Sequence, residues 1–457
     1  MNSIKKRDIF FRTVRILGDI FVIHLSYLLA FYLRYLGNIP QRNFDEYIAL
    51  IPHITIAGVV IFNLYDLYSD QLRKDISEIF YALIPASVII VVTTIALSFF
   101  FRAEAFPRSI FLVTTIIMVP AMIIWRYINV KVEGKFIKPR NIVVVGVEEE
   151  IAKLIQNIKN GTNGGFNLAG IILREKPEKL ARHNYNFKIG LDNLPEKLND
   201  LEADLIFLSD GLKEEEKKKI FHHSLEHEWD LMMVPGFYEI MMSGSRLLQI
   251  GELPVYEVKN MREGEGRYGK RLVDIALSIT GIIISLPVTL LAAIAIKLES
   301  RGPVFFKQER ISKEGNTFKV YKFRTMVENA EAKTGPVLAE ENDARVTKVG
   351  SFLRKTRIDE IPQFINVLKG DMSIIGPRPE RPHFVKEFRK KIPEYRYRHR
   401  IKSGITGLAQ IHGYYSSDPE DKLRMDLLYA NKSSFVFDLK IMLETIKVML
   451  MGQKKSR

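Results

Sequence analysis

Four apolar runs in the first 130 residues limit this chain more than anything else: roughly Ile16 to Leu36, Tyr47 to Tyr68, Ile79 to Phe101 and Ser109 to Val130. Each has about the ~20 residues that a helix needs to cross the hydrocarbon layer of a bilayer. Lipid offers the backbone no hydrogen bonds, so helices are the expected spanning form. Buried core helices of a soluble protein are the competing reading, and the flanking charges argue against it. MNSIKKRDIFFRTVR precedes the first run, WRYINVKVEGKFIKPR follows the fourth, and the loop SDQLRKDISE carries Arg73 and Lys74. Basic flanks stay on the cytoplasmic side, so both ends of the bundle are expected there. No small-residue cleavage site follows the first run, so a signal peptide is not expected.

At 457 residues the chain exceeds one ordinary domain, and two or three are expected. A formal net charge of +14 leaves nucleic acid, an anionic membrane face or phosphorylated substrates as partners. Nucleic-acid-binding signatures are missing, which favours the membrane and the phosphates. Cysteine is absent, so disulfides and thiolate chemistry are excluded.

After Arg140 the pattern becomes alternating strand and helix. NIVVVGV, FNLAGIIL, ADLIFLS and DLMMVPG read as strands, while EEEIAKLIQNIKN and KEEEKKKIFHHSLEHE read as helices. That alternation predicts a parallel sheet covered on both faces, a Rossmann-like α/β domain over 136–260. Its first turn, VVVGVEEEI, has only Gly146 of a dinucleotide fingerprint and puts Glu148, Glu149 and Glu150 where a pyrophosphate would dock. Carboxylates there suit the helix dipole and repel phosphate, so no dinucleotide is expected. His222, His223 and His227 share a helix with Glu226, and a solvated polar face explains them better than a metal.

A further apolar run, 272–298, has basic residues at both ends: Arg267, Lys270 and Arg271 before it, Lys297 and Arg301 around its end. Ser285 and Pro287 fall near its centre, where proline removes a backbone donor and serine can bond a freed carbonyl. A broken, re-entrant helix that enters and leaves by one face is therefore expected over a fifth spanning helix.

Chemistry gathers downstream of this run. VFFKQERI and TFKVYKFRTM read as a hairpin turning at KEGN, which places Lys322 and Arg324 on one strand face to meet anions. Next, RKTRIDEIPQFINVLKGDMSIIGPRPE surrounds the adjacent Asp359 and Glu360 with Arg354, Lys355, Arg357 and Arg378. Pro362 opens a short helix and Gly370 stops it, so the carboxylates sit at a helix N-terminus, where simple capping is an alternative reading. A carboxylate kept ionised by cations is a competent nucleophile toward phosphorus. A neighbouring carboxylate can hold Mg²⁺ together with substrate phosphates. The proline-bounded Arg378 is preset for a phosphate. A C-terminal amphipathic helix carries Asp438, Lys440 and Lys447 and suits either the membrane surface or the domain core.

SRGPVFFKQ, YKFRTM, LRKTRIDEIPQFINVLKGDMSIIGPRP, SGITGLAQ and YANKSSFVFDLK, in this order, resemble the bacterial sugar transferases that load a hexose 1-phosphate onto polyprenyl phosphate. The resemblance covers Arg267 to the C-terminus, and the upstream parts are similar to those of the large monotopic phosphoglycosyl transferases. It implies a membrane α-helical bundle over 1–135, the Rossmann-like domain over 136–260, and an α+β catalytic domain with a re-entrant helix over 261–457. It implies a ping-pong reaction. Asp359 would attack the β-phosphate of a UDP-hexose, releasing UMP, and polyprenyl phosphate would then collect the sugar phosphate. Glu360 matches the dyad position assigned to Mg²⁺; Lys322, Arg324, Arg354 and Arg378 match cationic positions around the phosphates; Asp438 matches an acidic position of the same site. The family breaks its re-entrant helix at a Ser-Pro pair, where this chain has Ser285, Leu286 and Pro287. Glucose or galactose is the implied sugar, surface or exopolysaccharide (O-antigen) synthesis the implied pathway, and the inner membrane the implied location. A homodimer is left open. The rival readings are a non-catalytic scaffold or regulator of polysaccharide export, and a glycosyltransferase that moves the sugar without its phosphate.

Overall fold

The computed structural model describes residues 2–69, 76–102, 106–136, 139–161, 165–182, 185–250, 252–258, 267–327, 343, 345–412 and 418–451. The loop with Arg73 and Lys74 lies outside them. The chain divides into two compact units, Met1–Val234 and Pro235–Arg457.

In the first unit, α1 (Asn2–Tyr35), α2 (Gln41–Leu64), α3 (Ile76–Phe100) and α4 (Arg108–Phe136) follow the four apolar runs. All are long and apolar enough to cross a membrane. Pro52, Pro85 and Pro120 lie inside α2, α3 and α4, as packed membrane helices tolerate. Charges inside the bundle are paired, as the cost of burying them requires. Arg126 on α4 meets Asp19 on α1 and donates to Leu67 O at 2.9 Å; Arg15 meets Glu133 at 2.7 Å. These pairs tie α1, α4 and the segment after α2 together.

The same unit continues with β1 (Arg140–Gly146), α5 (Glu148–Gly161), β2 (Phe166–Leu173), β3 (Phe187–Ile189), α6 (Leu194–Asp200), β4 (Leu205–Leu208), α7 (Glu214–Glu226) and β5 (Asp230–Met233). The strands form one parallel sheet in the order β3-β2-β1-β4-β5. Successive residues of β1 point to opposite faces, so Val143 and Val145 join one core with α6 and α7, while Val144 joins another with α5. This is the doubly covered sheet that the alternating pattern predicts.

The second unit begins earlier than the boundary expected at residue 260. Its α8 (Phe237–Met242) buries Ile240 in a core with Ile311, Ile375, Tyr395, Leu427 and Ile441, and Asn431 donates to Ile240 O at 2.6 Å. Those contacts are made far downstream in sequence, so composition around residue 260 could not reveal them. There follow the hairpin β6 (Arg246–Ile250) and β7 (Leu253–Glu257), the helix α9 (Arg267–Glu299), and the hairpin β8 (Phe305–Ile311) and β9 (Thr317–Phe323). The remainder comprises α10 (Lys348–Lys355), α11 (Gln363–Lys369), β10 (Ser373–Ile375), α12 (Pro382–Lys391), β11 (Gly404–Thr406), α13 (Leu408–His412), α14 (Pro419–Lys432) and α15 (Phe435–Met451). β10 and β11 pair in parallel. Ile441 of α15 is buried in the core, while Phe435 and Val436 at its start are exposed.

α9 departs from the expected break. It runs as one helix of 33 residues through Ser285 and Pro287. Ser285 Oγ donates to Ile282 O at 3.3 Å, not to the carbonyl of residue 283 that Pro287 leaves without its donor. Both ends of α9 are fastened to its own unit. At the start, Arg271 donates to Val367 O and Leu368 O at 2.5 and 2.7 Å, and Asp274 accepts from Ile374 N at 3.0 Å. Toward the end, Ala292 and Ile296 are buried against Phe323 and Leu353. Ile283, Ile284, Leu290 and Leu291 between them are exposed.

Candidate active site

A left-handed residue and a single 3₁₀ turn, closed by Glu360 N on Arg357 O at 3.2 Å and Ile361 N on Ile358 O at 3.1 Å, build the site. Arg357 adopts φ 58°, a conformation that costs a side-chain-bearing residue about 1 kcal/mol. That reversal ends α10 and starts the 3₁₀ turn Ile358–Glu360, which α11 follows after Pro362. Gly370, at φ 92°, closes α11 as expected. Thr347 Oγ1 caps α10 by accepting from Gly350 N at 2.9 Å. Glu299, at the end of α9, accepts from Lys348 N and Val349 N at 2.8 and 3.0 Å. The site's first helix is thereby tied to the membrane-type helix.

Two carboxylates in sequence thus receive opposite treatment. Glu360 Oε1 accepts from Lys322 Nζ at 2.6 Å and from Arg378 Nη2 at 2.8 Å. Burial opposes its ionisation, but Arg378 and Lys322 outweigh burial and hold the carboxyl well below its usual range. Asp359 is only 8 % exposed, and its Oδ2 stands 4.0 Å from Lys322 Nζ. Here burial wins: it pushes the carboxyl up, aided by the charge of Glu360 and opposed by Lys322, Arg354 and Arg378. Lys322 and Arg378 hydrogen-bond Glu360, so at Asp359 their charges offset burial only in part. Burial also pushes Lys322 down, with Glu360 as its main support.

The structure brings together Asp359, Glu360, Lys322 and Arg378. Arg354 stands beside them, its Nε on Thr325 Oγ1 at 2.9 Å and its charge felt by Asp359. Arg324 is turned elsewhere. β9 ends at Phe323, so the strand alternation that would put Arg324 beside Lys322 stops one residue short. Its guanidinium, on a residue 7 % exposed, donates to Ser300 O, Ser300 Oγ and Arg301 O, each at 2.8 Å. Asp438 is likewise engaged elsewhere, by Lys270 Nζ at 2.6 Å and Tyr429 Oη at 2.7 Å. It fastens the root of α9 to α14 and α15. Sequence reasoning missed Glu299, Asp274, Lys270 and the buried pair of Arg398 and Asp426, since each acts through a partner more than twenty residues away.

Mg²⁺ can be tested against these donors. Among the described residues no cluster of three His, Asp or Glu side chains is placed to hold a metal. Mg²⁺ needs only one or two carboxylates when phosphate oxygens complete its shell, so the dyad fits that donor chemistry. Lys322 and Arg378 compete with it at Glu360 Oε1.

The sheet domain has a different answer for its own anion positions. At the carboxyl ends of β1, β2 and β4, Glu148 accepts from the backbone N–H groups of Glu178, Lys179 and Leu180 at 3.0, 2.7 and 2.6 Å, and Glu150 accepts from Gly211 N at 2.7 Å. On the α7 helix, His222 and His223 each meet Glu226 at 3.4 Å.

Comparison with known proteins bears on both units. Residues 265–452 match the family described as Bacterial sugar transferase, and residues 63–228 match one described as CoA-binding domain. Glu148 and Glu150 put carboxylates at the turn after β1 and at the start of α5, where they would repel a pyrophosphate, so the residues present do not fit that group. The chain is 34% identical over 322 residues to the UDP-glucose:undecaprenyl-phosphate glucose-1-phosphate transferase of Escherichia coli, covering 67% of each chain. It is 46% identical over 186 residues to a UDP-N-acetylgalactosamine-undecaprenyl-phosphate N-acetylgalactosaminephosphotransferase of Aeromonas hydrophila. That match spans 40% of this chain and 44% of the relative's length. A galactosyl transferase of Streptococcus agalactiae is 29% identical over 427 residues, 87% of this chain and 92% of its own. The catalytic-unit match and the two-thirds coverage of the Escherichia coli relative lead to one conclusion: this chain belongs to the bacterial sugar transferase family.

Proposed function

We propose that the chain transfers a hexose 1-phosphate from a UDP-hexose to polyprenyl phosphate, releasing UMP and starting a surface polysaccharide. The observation that carries this reading is the split dyad: a buried Asp359 standing 4.0 Å from Lys322 Nζ, beside a Glu360 that accepts hydrogen bonds from both Lys322 and Arg378. A poorly solvated carboxylate is a stronger nucleophile than one tied up in hydrogen bonds. In the first step an Asp359 oxygen bonds to the β-phosphorus. The bond from that phosphorus to the bridging oxygen breaks, and UMP leaves with the oxygen. In the second step an oxygen of polyprenyl phosphate attacks the same phosphorus and returns Asp359 as a carboxylate. Lys322, Arg354 and Arg378 are the cations for the phosphates, and Glu360 holds Arg378 and Lys322 in place between substrates. Glu360 would also hold Mg²⁺, which, when bound, offsets phosphate charge. Arg324 and Asp438 are assigned to anchoring α9 rather than to the phosphates.

The cytoplasmic face of the inner membrane is the proposed location, with α9 re-entrant. A helix of 33 residues is about 50 Å long, more than the ~30 Å hydrocarbon layer. Attachment of both its ends to one unit supports a segment that returns to its starting face, which requires the continuous helix to bend where Pro287 removes a backbone donor, with the exposed residues around Ile283 to Leu291 in lipid.

Product analysis tests the reaction type. With UDP-glucose or UDP-galactose and polyprenyl phosphate, the expected nucleotide is UMP and the lipid product carries two phosphates. Release of UDP with a one-phosphate lipid product would replace this reading with simple glycosyl transfer, and no nucleotide release from any UDP-hexose would favour the scaffold.

A further inference from the structure

Arg378 leaves a backbone that is tied at every carbonyl. Pro377 O accepts from Gly404 N at 2.9 Å, Arg378 O from Arg398 Nη2 at 3.0 Å, Pro379 O from Arg310 Nη1 at 3.0 Å, and Glu380 O from Ile311 N at 2.9 Å. Gly376 N, at the start of the loop, donates to Thr406 O at 2.9 Å. Pro377 and Pro379 add fixed φ angles. Two of the four carbonyl donors are backbone groups from the strands beside the loop; the other two are arginine side chains.

Arg398 stands out among these donors. Its side chain is 4% exposed and faces Asp426 of α14, 2% exposed, at 2.7 Å. Its Nη1 donates to the Tyr395 hydroxyl. Burying such a pair is costly, and apolar residues of the same size would often stabilise the fold as well or better. Burial raises the Asp426 carboxyl to about 6 against the pull of Arg398, in keeping with that cost. What the pair provides in return is a fixed donor under Arg378, whose guanidinium meets Glu360 at 2.8 Å.

We infer that Arg398, oriented by Asp426 and Tyr395, is a positioning residue that sets Arg378 against Glu360 and the donor phosphates. The role rests on the proposed hexose 1-phosphate transfer. Arg398 touches neither the dyad nor the substrate. A shift of about 1 Å in a substrate-positioning group can cost as much as ~100-fold in rate.

The test is a double-mutant cycle on the full chain in lipid nanodiscs, reading kcat/KM for the UDP-hexose that turns over. Arg398→Lys keeps the charge beside Asp426 but loses the planar fork that serves three acceptors. It is expected to lower kcat/KM about tenfold or more. In an Arg378→Ala background the same change is expected to cost less than about twofold, because the residue it positions is gone. Equal costs in the two backgrounds would overturn the inference and assign Arg398 to general stability. If Arg398→Lys does not fold, Tyr395→Phe, which removes one acceptor of the fork, enters the same cycle under the same criterion. Failure of the underlying reaction reads differently: Asp359→Asn would keep turnover, or UDP would replace UMP. A cycle of equal costs with Asp359 essential and UMP released refutes only the positioning role.

Discussion

Asp359→Asn is expected to lower hexose 1-phosphate transfer to polyprenyl phosphate by at least about a thousandfold while leaving the fold intact. Asparagine keeps the shape and polar reach of the side chain but cannot form the acyl phosphate. The fold is spared because the charged carboxylate, not its shape, is what the site resists. Burial raises the Asp359 carboxyl, so ionising it works against folding, and that cost appears as pH rises through its folded value. A neutral side chain avoids it, and the unfolding temperature is expected to stay the same or rise. Transfer measured with labelled donor, beside thermal unfolding in detergent, checks both halves. Activity within tenfold of the parent would exclude a covalent role for this side chain.

Glu360→Gln is expected to fail in the opposite manner, with stability lost along with activity. Its carboxyl sits well below the ordinary range, so its contribution is present at neutral pH and lost as pH falls through the folded value. Removing that charge leaves the buried Lys322 without the anion that sustains its protonated form. It also takes from Arg378 the carboxylate it meets at the dyad. Breaking a buried pair from one side costs on the order of 3 kcal/mol, and Arg378, 44% exposed, contributes less of that than Lys322 at 20%. Adding Lys322→Met to Glu360→Gln is expected to restore part of the unfolding free energy and none of the transfer. A Glu360→Gln protein as stable as the parent across the neutral range would show that the two cations do not depend on this carboxylate.

Local pattern made much of this architecture readable. Long apolar runs mark membrane helices because lipid demands them, and strand–helix alternation marks a covered parallel sheet because both faces need burying. The turn chemistry of Pro362 and Gly370 placed the dyad correctly at the entry to α11. Lys322 and Arg378 could be associated with the dyad from their charge and from the rigid backbone around Arg378, and the structure brings them to Glu360. The misreadings share a cause: each depended on where a chain segment ends or on a partner distant in sequence. Arg324 fell outside its strand by one residue and turned to the end of α9. Asp438 was captured by Lys270, separated from it by 168 positions. Opposite shifts of two adjacent carboxyls depend on which one the folded chain presents to cations, and periodicity carries no such information.

The central claim, a transient bond between an Asp359 oxygen and phosphorus, is tested most directly by supplying the donor without the lipid. Intact mass and peptide mapping after brief incubation with UDP-hexose should reveal a hexose 1-phosphate on the peptide containing Asp359, with a matching stoichiometric release of UMP. An unmodified protein and no UMP, from a preparation that turns over fully once polyprenyl phosphate is added, would contradict the account.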